Sequence, residues 1–126
     1  MHNCIKFTSS QIRYMIWLSR LSREGFGVKN VELATALELS KPSVHNMLKS
    51  LAELGIITQA SFGLACLTDK GRIFSQKYEQ CFTFLEKKMT ELCGDNATTE
   101  IAICGILADL SQDKINELYE THQTKE

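Results

Sequence analysis

Residues 30–55 read NVELATALELSKPSVHNMLKSLAELG, and the order of polar and apolar residues in this stretch predicts two short helices joined by a tight turn. Asn30 has the side chain of a good N-cap, and the segment Val31 to Leu37 that follows offers Val31, Leu33, Ala34 and Leu37 as a buried face. After a brief turn at Glu38 and Leu39, the Ser40 hydroxyl is placed to cap a longer helix that should reach about Leu54. Pro42 is tolerated in its first turn, because no intrahelical donor is lost there. Val44, Met47, Leu48 and Leu51 make one apolar stripe along it, whereas Lys41, Ser43, His45, Asn46 and Lys49 lie largely off that stripe. Gly55 closes the helix in the position glycine favours.

Upstream, Ile12, Met15, Ile16, Leu18 and Leu21 recur at three- and four-residue spacings between Ser9 and Glu24, which predicts an amphipathic helix stopped by Gly25 and Gly27. Downstream, Ile56 to Ser61 and Leu64 to Thr68 are short runs of strand-forming residues around Phe62-Gly63, the pattern of a small hairpin. Thr68, with Asp69 behind it, then caps a long helix to about Leu92. Phe74, Tyr78, Cys81, Leu85, Met89 and Leu92 line one side of that helix, with Phe82 and Phe84 widening its apolar surface. The next helix, from about Thr98 to Leu110, is apolar nearly all round and is expected to be buried. Ser111 caps a last helix that ends near His122. The fold class expected is therefore mainly α: a winged helix-turn-helix over residues 1–74, followed by a helical dimerisation segment over residues 75–126.

Composition narrows the function classes. A chain of 126 residues with 44% hydrophobic and 23% charged residues has the make-up of a soluble globular protein and contains no run long enough to cross a bilayer. Residues 1–10 carry no signal-peptide pattern, so the cytoplasm is the expected location. The five cysteines, Cys4, Cys66, Cys81, Cys93 and Cys104, are odd in number and form no Cys-x-x-Cys pair, which argues against a disulfide framework and against a zinc finger. The net charge of -1 hides an asymmetry: residues 1–74 hold nine Lys/Arg against five Asp/Glu, a balance of +4, and residues 75–126 hold five against ten, a balance of -5. The basic half is the one suited to a polyanion. No His-acid-nucleophile set, phosphate-cradling glycine loop or metal-ligand cluster stands out, which argues against an enzyme.

Two helices at a tight turn, the second beginning with small polar and basic residues, match the arrangement that sets a recognition helix in the major groove of DNA. Lys41, Ser43 and Lys49 are of the type that reaches phosphates, while His45 and Asn46 carry donors and acceptors able to read base edges. Arg13 and Lys29 read equally as further phosphate contacts or as solvated surface charges.

The run Val31 to Leu51 resembles the helix-turn-helix of the diphtheria toxin repressor and manganese transport regulator family, and Glu53-Leu54-Gly55-Ile56-Ile57 and Leu67-Thr68-Asp69-Lys70-Gly71-Arg72 extend the match. The resemblance covers nearly the whole chain, without the carboxyl-terminal SH3-like domain of the longer members. It implies a homodimeric repressor that binds palindromic double-stranded DNA when charged with iron(II) or manganese(II). The ligand positions implied by the resemblance are mostly changed. Ser10 and Arg13 stand for an acidic pair, Tyr78 for a ligating His, and Leu107 and Ala108 for a Glu-His pair. Cys104 alone falls on a ligand position, with Glu100 and Glu79 the remaining oxygen donors nearby. The expectation is a dimeric DNA-binding regulator whose usual metal site is missing, or is replaced by a different one around Glu79, Glu100 and Cys104. Two alternatives stay open: a sensor working through the thiol of Cys81 or Cys104, and a winged-helix protein-interaction module that binds no DNA.

Overall fold

The structure, a computed structural model, describes residues 5–22, 27–60, 63–95 and 99–123. Along the chain run α1 (Ser9–Leu21), β1 (Val28–Lys29), α2 (Asn30–Leu37), α3 (Lys41–Glu53), β2 (Ile57–Gln59), β3 (Leu64–Leu67), α4 (Asp69–Cys93), α5 (Glu100–Asp109) and α6 (Gln112–Gln123). They form two compact units, one of Tyr14–Ser75 and one made of the described residues of Met1–Arg13 and Gln76–Glu126.

In the first unit α2 packs on α3, and α3 leads into a three-stranded antiparallel sheet ordered β1-β3-β2. The central strand places Ala65 opposite both Val28 and Gln59, and Leu67 opposite Ile57. Leu33, Ala34 and Leu37 of α2, Val44, Leu48 and Leu51 of α3, and Val28, Ile56, Ile57 and Ala65 around the sheet are buried. Each of the larger ones contributes about 1.5–3 kcal/mol by leaving water. The hairpin expected from the sequence is present as β2 and β3, and Gly63 takes the left-handed φ of +74° that its turn requires. Phe62 and Gly25 lie outside the described residues.

Two local expectations are corrected. Asn30 does not cap α2; it is the first residue of the helix, and Lys29 holds the cap position. The reason is Glu32, whose carboxylate reaches back to accept the Lys29 N–H at 2.9 Å. The sheet also has a third strand, β1, that the sequence pattern does not announce, because two residues are too few for any periodicity to register. By contrast, Ser40 caps α3 as expected, its Oγ accepting the Ser43 N–H at 3.2 Å. The α2–α3 turn is closed by Glu38 at φ 58°, with the Leu39 N–H donating to the Ala34 carbonyl at 3.0 Å.

The second unit is held by α6 lying on α4. Gln112 Nε2 donates to the Tyr78 hydroxyl at 2.7 Å, Lys77 Nζ donates to Asn116 Oδ1 at 2.8 Å, and the Cys81 thiol points at the Ile115 carbonyl at 3.7 Å. Phe7 packs edge-on against Tyr78, ring centroids 5.9 Å apart. From α5 come Ile103, Cys104 and Leu107, all buried. Ile101, Ala102, Gly105 and Ile106 are exposed on its other face, Ile101 by 63%, so the single chain covers one side of this apolar helix and leaves the other. Thr99 caps this helix, accepting the Ala102 N–H at 3.1 Å, and Ser111 caps α6 by accepting the Lys114 N–H at 3.2 Å.

Candidate nucleic-acid interface

The α3 helix presents opposite faces to the core and to solvent. Val44, Leu48 and Leu51 are buried, and Lys41, Ser43, His45, Asn46 and Lys49 are all exposed. Lys41, His45 and Lys49 follow one another at four-residue steps, a row about 12 Å long at 1.5 Å per residue, with Ser43 and Asn46 beside it. Before Glu53 the helix carries no acidic residue. Beyond the Ser40 cap, no acidic side chain of the helix itself competes with an anion at its positive N-terminal end. The Ser40 hydroxyl also donates to Ser43 Oγ at 3.0 Å, so the cap holds the Ser43 side chain in place.

Behind this face the junction of sheet and α4 is fixed by backbone-directed bonds. Thr68 Oγ1 accepts the Gly71 N–H at 2.9 Å and donates to the Gly55 carbonyl at 2.7 Å. Lys70 Nζ reaches the Leu54 carbonyl, at the end of α3, at 3.0 Å. At Gly71 a Cβ would stand 2.0 Å from the Ile56 carbonyl oxygen, so no side chain fits. Arg72 is turned to the hairpin, donating to the Leu67 carbonyl at 3.4 Å and pairing with Asp69. Thr58 and Gln59 of β2 are exposed polar residues on the hairpin that the sequence reading does not single out. Only the hairpin pattern itself marks them.

The residues considered for a metal are arranged differently. Glu100 accepts a hydrogen bond from Arg13 Nε at 2.5 Å. Cys104 is 1% exposed, and Glu79 is half-buried one residue along α4 from Tyr78. Burial raises the Tyr78 hydroxyl above its usual pKa, which the hydrogen bond from Gln112 offsets only in part. No group of three or more His, Cys, Asp or Glu set to hold a metal ion occurs among the described residues. Iron(II) and manganese(II) need several converging oxygen or nitrogen donors, and these side chains do not fit either ion. Cys81 and Cys104, the two thiols considered for sensing, are both buried. Burial pushes Cys81 up from 9.0 to about 11 against the smaller opposing effect of Lys77, whereas a reactive cysteine is exposed and has a lowered pKa.

Three helices, a polar second helix of the pair and a hairpin behind it define a winged helix-turn-helix fold. Residues 18–61 match the helix-turn-helix domain of the IclR family, about a third of the chain. Among solved structures, the manganese regulator SloR is similar over 88% of this chain and 52% of its own, with 19% identity and a TM-score of 0.68. IdeR of T. acidophilum is similar over 93% of this chain and 55% of its own, with 15% identity and a TM-score of 0.63. ZitR of Lactococcus lactis, in a point-substituted form, is similar over 96% of this chain and 79% of its own, with 21% identity and a TM-score of 0.57. At such identities the likeness is one of fold. The chain spans about half the length of SloR and IdeR. Comparison with curated protein sequences gives no match. No helix among the described residues is long and apolar enough to cross a membrane.

Proposed function

We propose that the chain is a cytoplasmic, homodimeric transcription regulator, most simply a repressor, and a relative of the iron- and manganese-dependent repressors that works without their metal site. The observation that carries the reading is the α3 face: five exposed polar or basic side chains, no acid before Glu53, and a buried stripe behind them. In the major groove, Asn46 and His45 would meet base edges, and Lys41, Ser43 and Lys49 would meet phosphates. The hairpin would lie along the backbone as a wing. This supports a binding function rather than an enzyme.

The apolar outer face of α5 supports the dimer. Ile101, Ala102, Gly105 and Ile106 are exposed together, and Leu92 near the end of α4 is 80% exposed. Ala102 and Gly105 leave room for a second helix to approach closely, and a second copy would cover the stripe symmetrically. Residues 1–74 would then be the DNA-binding half and residues 75–126 the dimerising half, and a palindromic operator would have half-sites about one helical turn, roughly 34–36 Å, apart.

The test is fluorescence anisotropy of the full chain with duplexes from its own upstream DNA, at several salt concentrations and with or without chelator. Tight, salt-sensitive binding that chelator leaves unchanged, lost in the His45→Ala/Asn46→Ala/Lys49→Ala variant, is the expected result. Binding only with added iron(II) or manganese(II) would return Cys104, Glu100 and Glu79 to the role of ligands. Failure to retain any sequence from a random duplex library would favour the protein-interaction alternative.

A further inference from the structure

Arg13 and Glu100 are 87 residues apart in sequence, one on α1 and one at the first position of α5, and both belong to the same unit. Arg13 Nε lies 2.5 Å from Glu100 Oε2, and the two side chains are 20% and 25% exposed. At that distance and burial the bond is charge-assisted and less screened than a surface pair. It ties two elements between which no backbone hydrogen bond runs among the described residues. Glu100 is further held by its place in the first turn of α5, where the helix favours a negative charge.

A carboxylate in this position can be balanced by a metal ion or by an organic cation, and the two differ in one respect. A metal ion is exchangeable, so the tie it makes follows its concentration. A guanidinium is covalently attached and stays charged at any physiological pH. We propose that Arg13 is a built-in cation which occupies, on Glu100, the place a divalent metal would take, so that the start of α1, residues 9–13, is tied to α5 within their shared unit whether or not metal is present. A metal ion arriving at Glu100 would have to displace the guanidinium and remain beside its positive charge. Cys104, one turn further along α5, is buried against its own unit. The inference extends the regulator reading by removing divalent metal as its input. It does not depend on DNA binding.

The experiment is therefore made on the protein alone: thermal unfolding of the full chain, followed by circular dichroism, in EDTA and in millimolar manganese(II), with metal content measured after dialysis. Wild type should have the same Tm in both, within about 1 °C, and retain no stoichiometric metal. Arg13→Glu, which sets two carboxylates against each other, should lose about 5 °C or more in EDTA and regain a substantial part in manganese(II). The exchanged pair, Arg13→Glu/Glu100→Arg, should return towards wild type and be indifferent to metal. If Arg13→Glu is unfolded in EDTA, its refolding on adding manganese(II) is read instead. A wild-type Tm raised by manganese(II), an Arg13→Glu variant that metal does not rescue, or an exchanged pair as unstable as Arg13→Glu would each overturn the proposal. None of these readings changes if the chain proves not to bind DNA.

Discussion

Asn46 and Lys49 lie one helical turn apart on the exposed side of α3, and the proposed DNA contact would use their chemistry differently. An amide has a donor and an acceptor side by side and can match an adenine edge, whereas an ammonium is a point charge that any phosphate satisfies. Asn46→Ala should weaken binding to the preferred duplex by about 1–3 kcal/mol and relax the preference at one base pair. Lys49→Ala should weaken binding to all duplexes alike and reduce the slope of log affinity against log salt by about 1. Titrations of both variants on matched and mismatched duplexes at several salt concentrations check this. A salt slope that falls with Asn46→Ala and not with Lys49→Ala would reverse the assignment. Such residues are readable in the sequence because the buried stripe of α3 is unbroken, so the polar positions are fixed by subtraction. The Arg13–Glu100 pair is not readable there, since nothing local links residues 87 positions apart.

The legible elements are those with strong punctuation. Ser40, Pro42 and Gly55 bracket α3, and its observed span, Lys41–Glu53, follows them closely. At α2 the punctuation misleads, because the bond that Glu32 accepts from the Lys29 N–H outweighs the capping preference of Asn30. The start of α4 shows a constraint that sequence pattern cannot express: Gly71 is required by the Ile56 carbonyl, which would lie 2.0 Å from any Cβ. Gly71→Ala should therefore cost about 3 kcal/mol or more, measured by urea unfolding, although alanine is the better helix former by about 1 kcal/mol. A neutral or stabilising result would mean that α4 and the sheet separate easily. The seam of α4 and α6 makes a second prediction. Folding raises Cys81 from 9.0 to about 11, so the native state favours the protonated thiol, and its contribution is complete below pH 9 and lost as pH rises towards 11. Tyr78 is shifted in the same direction. Urea midpoints should fall between pH 9 and about pH 11, and Cys81→Val should flatten that fall without abolishing it. An unchanged slope in the variant would place the titration elsewhere.

At the scale of the whole molecule, charge and apolar surface divide the labour. The excess of positive charge lies in residues 1–74 and the excess of negative charge in residues 75–126, so under the proposed reading the first half is the one suited to a polyanion. The all-round apolar character of α5 is visible in the sequence, but not which face its own unit uses. Packing has taken Ile103, Cys104 and Leu107 and left Ile101, Ala102, Gly105 and Ile106. A dimer that covers this remainder would bury Ile101 twice, once per copy, so a charge there is felt twice at the two-fold axis. Ile101→Glu should raise the dimer dissociation constant by at least about 100-fold, since burying two isoleucine side chains supplies roughly 3 kcal/mol or more and two opposed carboxylates would add repulsion. Sedimentation equilibrium gives the constant, and circular dichroism gives a control, because the residue is exposed in the single chain and its helix should persist. The same variant should bind a half-site duplex as wild type does and lose its advantage on the full palindrome, an advantage that exists only when two recognition helices are tethered. If Ile101→Glu remained a dimer with full affinity for the palindrome, the α5 face would not be the dimer contact, and the exposed Leu92 at the end of α4 would be the next position to charge.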